Sequence, residues 1–180
     1  MRMEYSFDLK IPGDRIAVVI GKNGATKNEL EKLTKAKIQV DSKEGDIVIE
    51  GDDPILLYAL REILKGIARG FSPEIARLLL KQDFVLEIIP LSDYVKQKTH
   101  MQRIKGRVIG ADGKSRERIE ELSECHISVY GKTISILGRT DHIWLAKKSI
   151  QMLLSGSTHS TVYRWLERQR RELMKSELEG

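Results

Sequence analysis

Apolar residues recur along this chain with two periods, and the periods change in the same order in its two halves. Alternation in YSFDLKI, Tyr5 to Ile11, predicts a strand with one buried face, and the apolar run FVLEIIP, Phe84 to Pro90, predicts its counterpart. After each comes a short helix ending in Val-Ile-Gly, then a Gly-x-x-Gly turn. An amphipathic helix follows, expected to turn Leu30 and Leu33 inward in the first half and Ile119 and Leu122 in the second. KIQV and DIVIEG read as a hairpin around SKEG, whereas HISVYGKTISILG turns tightly at Tyr130 to Lys132. A long helix closes each half, with an expected apolar stripe of Ile55, Ala59, Ile63 and Ile67, or Ile143, Ala146, Ile150 and Leu153.

The two halves align as a repeat at an offset of 89 residues, which places Val19, Ile20, Gly21 and Gly24 on Val108, Ile109, Gly110 and Gly113. Leu33, Ile38 and Val40 fall on Leu122, Ile127 and Val129 in the same register. Glycines, strand alternation and helical spacing coincide, so the pattern is a duplicated domain. Domains are expected over 1–71 and 83–156. Ser72-Pro73-Glu74 supplies an N-cap and a first-turn proline for a connector helix over 72–82. A C-terminal helix is expected over 157–180, with Val162, Trp165, Leu166 and Leu173 on one face.

A hydrophobic fraction of 41% is enough for packed cores, and no apolar run approaches the length of a membrane span. MRMEYSFDLK turns charged before an apolar signal region could form, so a cytoplasmic protein is expected. Cys125 is the sole cysteine and reads as a small core hydrophobe; His100, His126, His142 and His159 have no metal-ligand spacing. No catalytic residue, metal or cofactor is therefore expected. Net charge is +5, but Lys96 to Arg118 alone carries +6, with eight basic residues against Asp112 and Glu117. That segment surrounds the second glycine loop, where a phosphate backbone would favour it.

The sequence VIGADGKS invites comparison with a nucleotide-binding phosphate loop. The first glycine that such a loop needs is replaced by Val108, and a basic segment stands where a buried strand should precede it. The order strand, helix, Gly-x-x-Gly, helix, strand, strand, helix, together with VIGKNG and VIGADG, instead resembles the type I KH domain. That resemblance implies an α+β fold: two tandem units, each a three-stranded antiparallel sheet with helices on one face, plus the C-terminal helix. A KH loop clamps about four nucleotides of single-stranded RNA, with glycines allowing close backbone approach and an apolar groove receiving unstacked bases.

LREILKGIARGFSPEIARLLL, VLEIIPLSDYVKQKTHMQRIKGRVIG and STVYRWLERQRREL narrow the resemblance to the partner-of-Nob family of KH proteins. It implies a small-subunit ribosome assembly factor that binds near the 3′ end of precursor rRNA and associates with the Nob endonuclease. For archaeal members it also implies a link to the alpha subunit of translation initiation factor two. Carried onto matching positions, it makes Gly21, Lys22, Asn23 and Gly24 the first phosphate loop, and Gly110, Ala111, Asp112 and Gly113 the second. Ile20, Ile38 and Val40 are expected to line the first groove, and Ile109, Ile127 and Val129 the second. Asp112 brings a negative charge into the second loop, to be offset by Lys114, Arg116 and Arg107. Two other readings are a different tandem-KH RNA-binding protein, Krr-type or exosome-associated, and a protein-docking scaffold with little RNA affinity.

Overall fold

A computed structural model describes residues 4–180, so the first three positions of the domain expected over 1–71 lie outside the described residues. The chain forms two compact units, the first ending at Phe84 and the second starting at Val85. In the first, β1 (Tyr5–Lys10), β2 (Lys37–Val40) and β3 (Asp46–Gly51) make an antiparallel sheet in the order β1-β3-β2. The register pairs Phe7 with Ile49 and Ile38 with Ile49, so β3 is the central strand and β2 an edge. Its helices are α1 (Gly13–Ile20), α2 (Ala25–Thr34), α3 (Pro54–Ala68) and the single turn α4 (Pro73–Ala76). Ile47 and Ile49 on the buried face of β3 pack under α3, and Val19 of α1, Leu30 of α2 and the inward row of α3 are likewise fully buried. Arg15 on α1 donates to the carbonyls of Ile67 (2.8 Å), in the last turn of α3, and Phe71 (2.9 Å), just beyond it, tying α1 to the end of that helix.

Two expected apolar rows are displaced. Ile55 is 71% exposed, and the buried row of α3 runs through Leu57, Leu60, Ile63, Leu64 and Ile67. Nearly every side of PILLYALREILKGIA carries an apolar residue, so periodicity alone admits more than one row; contact with the sheet selects one. Leu33 is 44% exposed, and its neighbour Thr34 turns inward instead, its hydroxyl donating to the Leu30 carbonyl at 2.7 Å.

The second unit repeats the plan with β4 (Phe84–Pro90), α5 (Lys98–Ile109), α6 (Lys114–Ser123), β5 (His126–Tyr130), β6 (Thr133–Arg139) and α7 (Ile143–Leu154). Strand order is β4-β6-β5, the same as in the first unit. The helix α8 (His159–Glu179) is added, packed on α6 and α7 through fully buried Val162 and Leu166. Arg170 fastens it by donating to the carbonyls of Glu121 (3.2 Å) and Leu122 (2.8 Å) at the end of α6. This explains why Leu122 is buried while the equivalent Leu33 is exposed: α8 covers the outer face of α6 within its own unit.

Candidate nucleic-acid interface

Each Gly-x-x-Gly segment is a tight turn between two helices, and the two copies have nearly the same backbone. Gly21 has φ 74° and ψ 173°, and Gly110 has φ 75° and ψ 175°. Gly24 and Gly113 both have φ 76°. The glycines are needed for different reasons. A Cβ on Gly21 would lie 2.3 Å from the Thr26 hydroxyl and 2.7 Å from its backbone nitrogen, and one on Gly110 would lie 2.6 Å from the Ser115 Cβ. The first glycine is thus pressed against the helix that follows. At Gly24 and Gly113 the nearest atom is 3.8 Å or 4.0 Å away, so these positions leave their outer side open to an approaching backbone.

Between the glycines, Asn23 (φ 54°) and Asp112 (φ 53°) are left-handed. Asparagine and aspartate tolerate that conformation better than other non-glycine residues, which gives Asp112 a backbone reason to be where its charge alone is unfavourable for a phosphate loop. Lys22, Asn23, Ala111, Asp112 and Lys114 are all exposed. The first N–H of each helix, at Ala25 and Lys114, bonds back to the carbonyl of Lys22 or Ala111, and no side chain caps the start of α2 or α6, so the positive end of each helix dipole lies at the loop.

The apolar positions beside the loops divide into two groups. Ile20 and Ile109, which directly precede the turns, and Val40 and Val129 on the edge strands are half-buried and keep apolar surface exposed. Ile38 and Ile127 are 2% and 4% exposed, so in the unbound chain they pack with the core. Both sit on the sheet's inward face under a helix, and their side chains offer almost nothing for a base to touch. The basic residues around the second loop also divide. The guanidinium of Arg107 donates to the Ser157 carbonyl, and the Arg107 carbonyl meets His159 at 2.7 Å, which ties this arginine to the start of α8. Arg118 bonds Glu167 (2.6 Å) and Glu121 (3.1 Å), and Arg116 faces Glu120 at 3.9 Å. Lys96, Lys98, Arg103 and Lys114 remain exposed.

Two features escaped the sequence reading. The first is a helix carboxylate bonded to each edge strand: Glu31 of α2 accepts from the Ile38 N–H, and Glu120 of α6 from the Ile127 N–H, both at 2.8 Å. Glu31 and Glu120 occupy equivalent repeat positions, as do Lys27 and Arg116 one helical turn earlier, so comparing polar as well as apolar positions would have found them. The second joins residues far apart in sequence. The buried His142 lies 3.1 Å from Glu124 and 3.4 Å from Glu177, with Asp141 held by Arg139 at 2.8 Å, a polar cluster that includes Glu177 near the end of α8. Cys125 precedes β5, 2% exposed, and burial pushes its thiol up to about 11, which suits a core residue and not a nucleophile.

Comparison with known proteins places this geometry. Residues 85–171 match the eukaryotic type KH-domain (KH-domain type I) in its form for the second domain of partner-of-Nob proteins, and residues 6–65 match the KH domain. A KH domain-containing protein of Methanocaldococcus jannaschii is 41% identical over 175 residues, covering 95% of this chain and 77% of that protein. The crystal structure of Dim2p from Pyrococcus horikoshii is 46% identical, with a TM-score of 0.86 over 92% of this chain and 99% of that one. The chain belongs to the partner-of-Nob, or Dim2p, family. Another structure similar to this family member is that of a complex of a/eIF2alpha, aDim2p and rRNA from Pyrococcus horikoshii. There the identity is 45% and the TM-score 0.88, over 93% of this chain and 95% of that one. A protein of unknown function from Aeropyrum pernix is 35% identical, with a TM-score of 0.92 over 98% of this chain and 96% of that one. The family is one of KH-domain RNA-binding proteins, and among the described residues no helix is long and apolar enough to cross a membrane.

Proposed function

We propose that this chain is a non-enzymatic, cytoplasmic factor of small-subunit ribosome assembly. It binds single-stranded RNA in the 3′ region of the precursor rRNA and presents it to a processing endonuclease of the Nob type, with the alpha subunit of translation initiation factor two as a protein partner. The observation that carries this reading is the matched geometry of the two loops, each pairing a first glycine pressed on its helix with an open second glycine. That arrangement lets a sugar-phosphate backbone approach the first-turn N–H groups of α2 or α6, while Lys22 or Lys114 adds positive charge beside it. Half-buried Ile20 and Val40, or Ile109 and Val129, give unstacked bases an apolar surface. The complex of the Pyrococcus relative with rRNA and a/eIF2alpha supports both the RNA class and the protein partner.

Crosslinking the full chain to RNA in cell extract and sequencing the bound fragments tests the reading. Reads should concentrate in the 3′ region of small-subunit rRNA, and reads spread over many messenger RNAs would refute it. In a purified system, affinity for a 3′-end oligomer should fall steeply with salt as counterions return to the phosphates, and a duplex of the same sequence should bind less well. Adding the chain should speed or redirect cleavage of that RNA by the endonuclease; an unchanged cleavage pattern would remove the presenting role.

A further inference from the structure

In the second unit, acids from three elements surround one buried imidazole. His142, at the N-cap of α7, is 5% exposed, although its ring carries a polar nitrogen on either side. Its Nε2 faces Glu177 Oε1 at 3.4 Å, in the last turn of α8, and Asp141 Oδ2 at 4.0 Å, in the turn before α7. Its Nδ1 is buried without a hydrogen bond, and Glu124 Oε2, at the end of α6, stands 3.1 Å from it. Ligand atoms of Asp141, His142 and Glu177 all lie within 4.8 Å of one another. Donors held ~2.0–2.2 Å from a tetrahedral ion stand roughly 3.3–3.6 Å apart, so small side-chain movements close the trio on one ion. A cavity of about 110 Å³ opens beside the imidazole, walled on its apolar side by Leu122, Leu145, Leu173 and Met174.

We propose that Asp141, His142 and Glu177 form a binding site for a divalent transition-metal ion of the zinc type, with Glu124 orienting the imidazole. An imidazole nitrogen favours zinc over magnesium or calcium, and the two carboxylates balance the charge of the ion. Coordination at Nε2 leaves the ring proton on Nδ1, where Glu124 can accept it, so the orphaned nitrogen gains a partner in a carboxylate-histidine-metal arrangement. Arg170 holds Glu124 in place at 3.2 Å while also donating to the Leu122 carbonyl at 2.8 Å. Arg139 competes for Asp141, at 2.8 Å from Oδ2; a turn of that carboxylate leaves one oxygen for Arg139 and gives the other to the ion. The ion explains what fixes the end of α8. This helix is anchored by buried Val162 and Leu166, but every residue from Met174 onward is exposed, so apolar packing does not hold its last turn. Sequence spacing conceals the site, because Glu177 stands 35 residues from His142.

The test titrates the tag-free full chain, stripped with a chelator, with zinc chloride by calorimetry in the absence of RNA. One ion per chain should bind with a Kd of roughly 1 μM, weaker than structural zinc sites with four protein ligands, and calcium should bind at least about a hundredfold less tightly. Asp141→Asn and Glu177→Gln change exposed side chains, so both should fold, as circular dichroism can check; each should weaken zinc by at least about tenfold. Glu124→Gln keeps an acceptor but loses the charge, and should weaken zinc by about tenfold through the imidazole. Glu179→Gln, an exposed acid on the same helix outside the cluster, should bind zinc like wild type. Zinc at about a hundred times its Kd should raise the melting temperature of the wild-type second unit by roughly 10–20 °C, and that of Glu177→Gln by about half as much. Absence of binding heat and of any melting shift overturns the proposal. Zinc bound equally well by wild type and both ligand variants also overturns it, because the ion would then sit on other side chains. Calcium bound as tightly as zinc overturns it too, since the imidazole would then take no part.

Discussion

Replacing Gly110 or Gly113 by alanine separates the two demands that the loop makes on its glycines. A Cβ on Gly110 would lie 2.6 Å from the Cβ of Ser115 and 2.7 Å from its backbone nitrogen, and Ser115 is buried in the first turn of α6. The torsions of Gly110, φ 75° and ψ 175°, fall where side chains essentially do not go, a strain of ~1–3 kcal/mol. Crowding comparable to an overpacked core adds ~1–3 kcal/mol. At Gly113 the added atom meets nothing nearer than 4.0 Å, and φ 76° with ψ 7° costs alanine only ~1–2 kcal/mol. With ~4–8 °C of melting temperature per kcal/mol in a unit of this size, Gly113→Ala should lower melting of the second unit by roughly 5–15 °C. Gly110→Ala, at ~2–6 kcal/mol in all, should lower it by roughly 10–45 °C or prevent folding. Circular dichroism melts give the shift, and hydrogen exchange of α5 and α6 assigns it to the second unit. Gly113→Ala, though folded, places a methyl group where the RNA backbone approaches, so its RNA affinity should drop. Equal melting shifts for the two variants would refute the close-packing argument, and wild-type RNA affinity in Gly113→Ala would refute the open side as a contact surface.

Asp112→Asn keeps a residue suited to the left-handed turn, as Asn23 is at φ 54°, and removes a negative charge. One charge at phosphate contact distance is worth ~1 kcal/mol in water, so RNA should bind about fivefold tighter at low salt, and an unchanged Kd would sink the expectation. Changing Lys22 and Asn23 together to aspartate should weaken RNA binding at least as much as Ala111→Asp does, because the second loop is already acidic at Asp112 and has Lys114 beside it. Loss of binding with Ala111→Asp alone, beside a wild-type double variant, would reverse that ranking. Cys125 stays a thiol to about pH 11 when folded, whereas an unfolded thiol ionises near ~8.5. Its stabilising effect is therefore full below that lower value and is lost as pH rises towards about 11, so iodoacetamide should label the native chain slowly at pH 9. Fast labelling without unfolding would refute the burial argument.

The repeat, the order of elements and the positions of both loops were legible in the chain because they depend on local rules. Alternation marks strands, 3.6-residue spacing marks helices, and glycine is needed where φ must be positive. Sequence pattern did not determine which row of a many-sided apolar helix turns inward. The sheet decides that, burying Leu57 and Leu60 and leaving Ile55 in solvent. Nor could it separate Leu33 from Leu122, which share a repeat position and differ in burial only because α8 packs on α6. The basic stretch from Lys96 to Arg118 read as one surface until folding divided it, since Arg107 and Arg118 find partners about fifty residues away in sequence, at Ser157 and Glu167. The helix carboxylates bonded to the edge strands show the same limit. Glu31 and Glu120 were visible as repeated letters, but a hydrogen bond to a strand seven residues later exists only once the helix lies against the sheet edge.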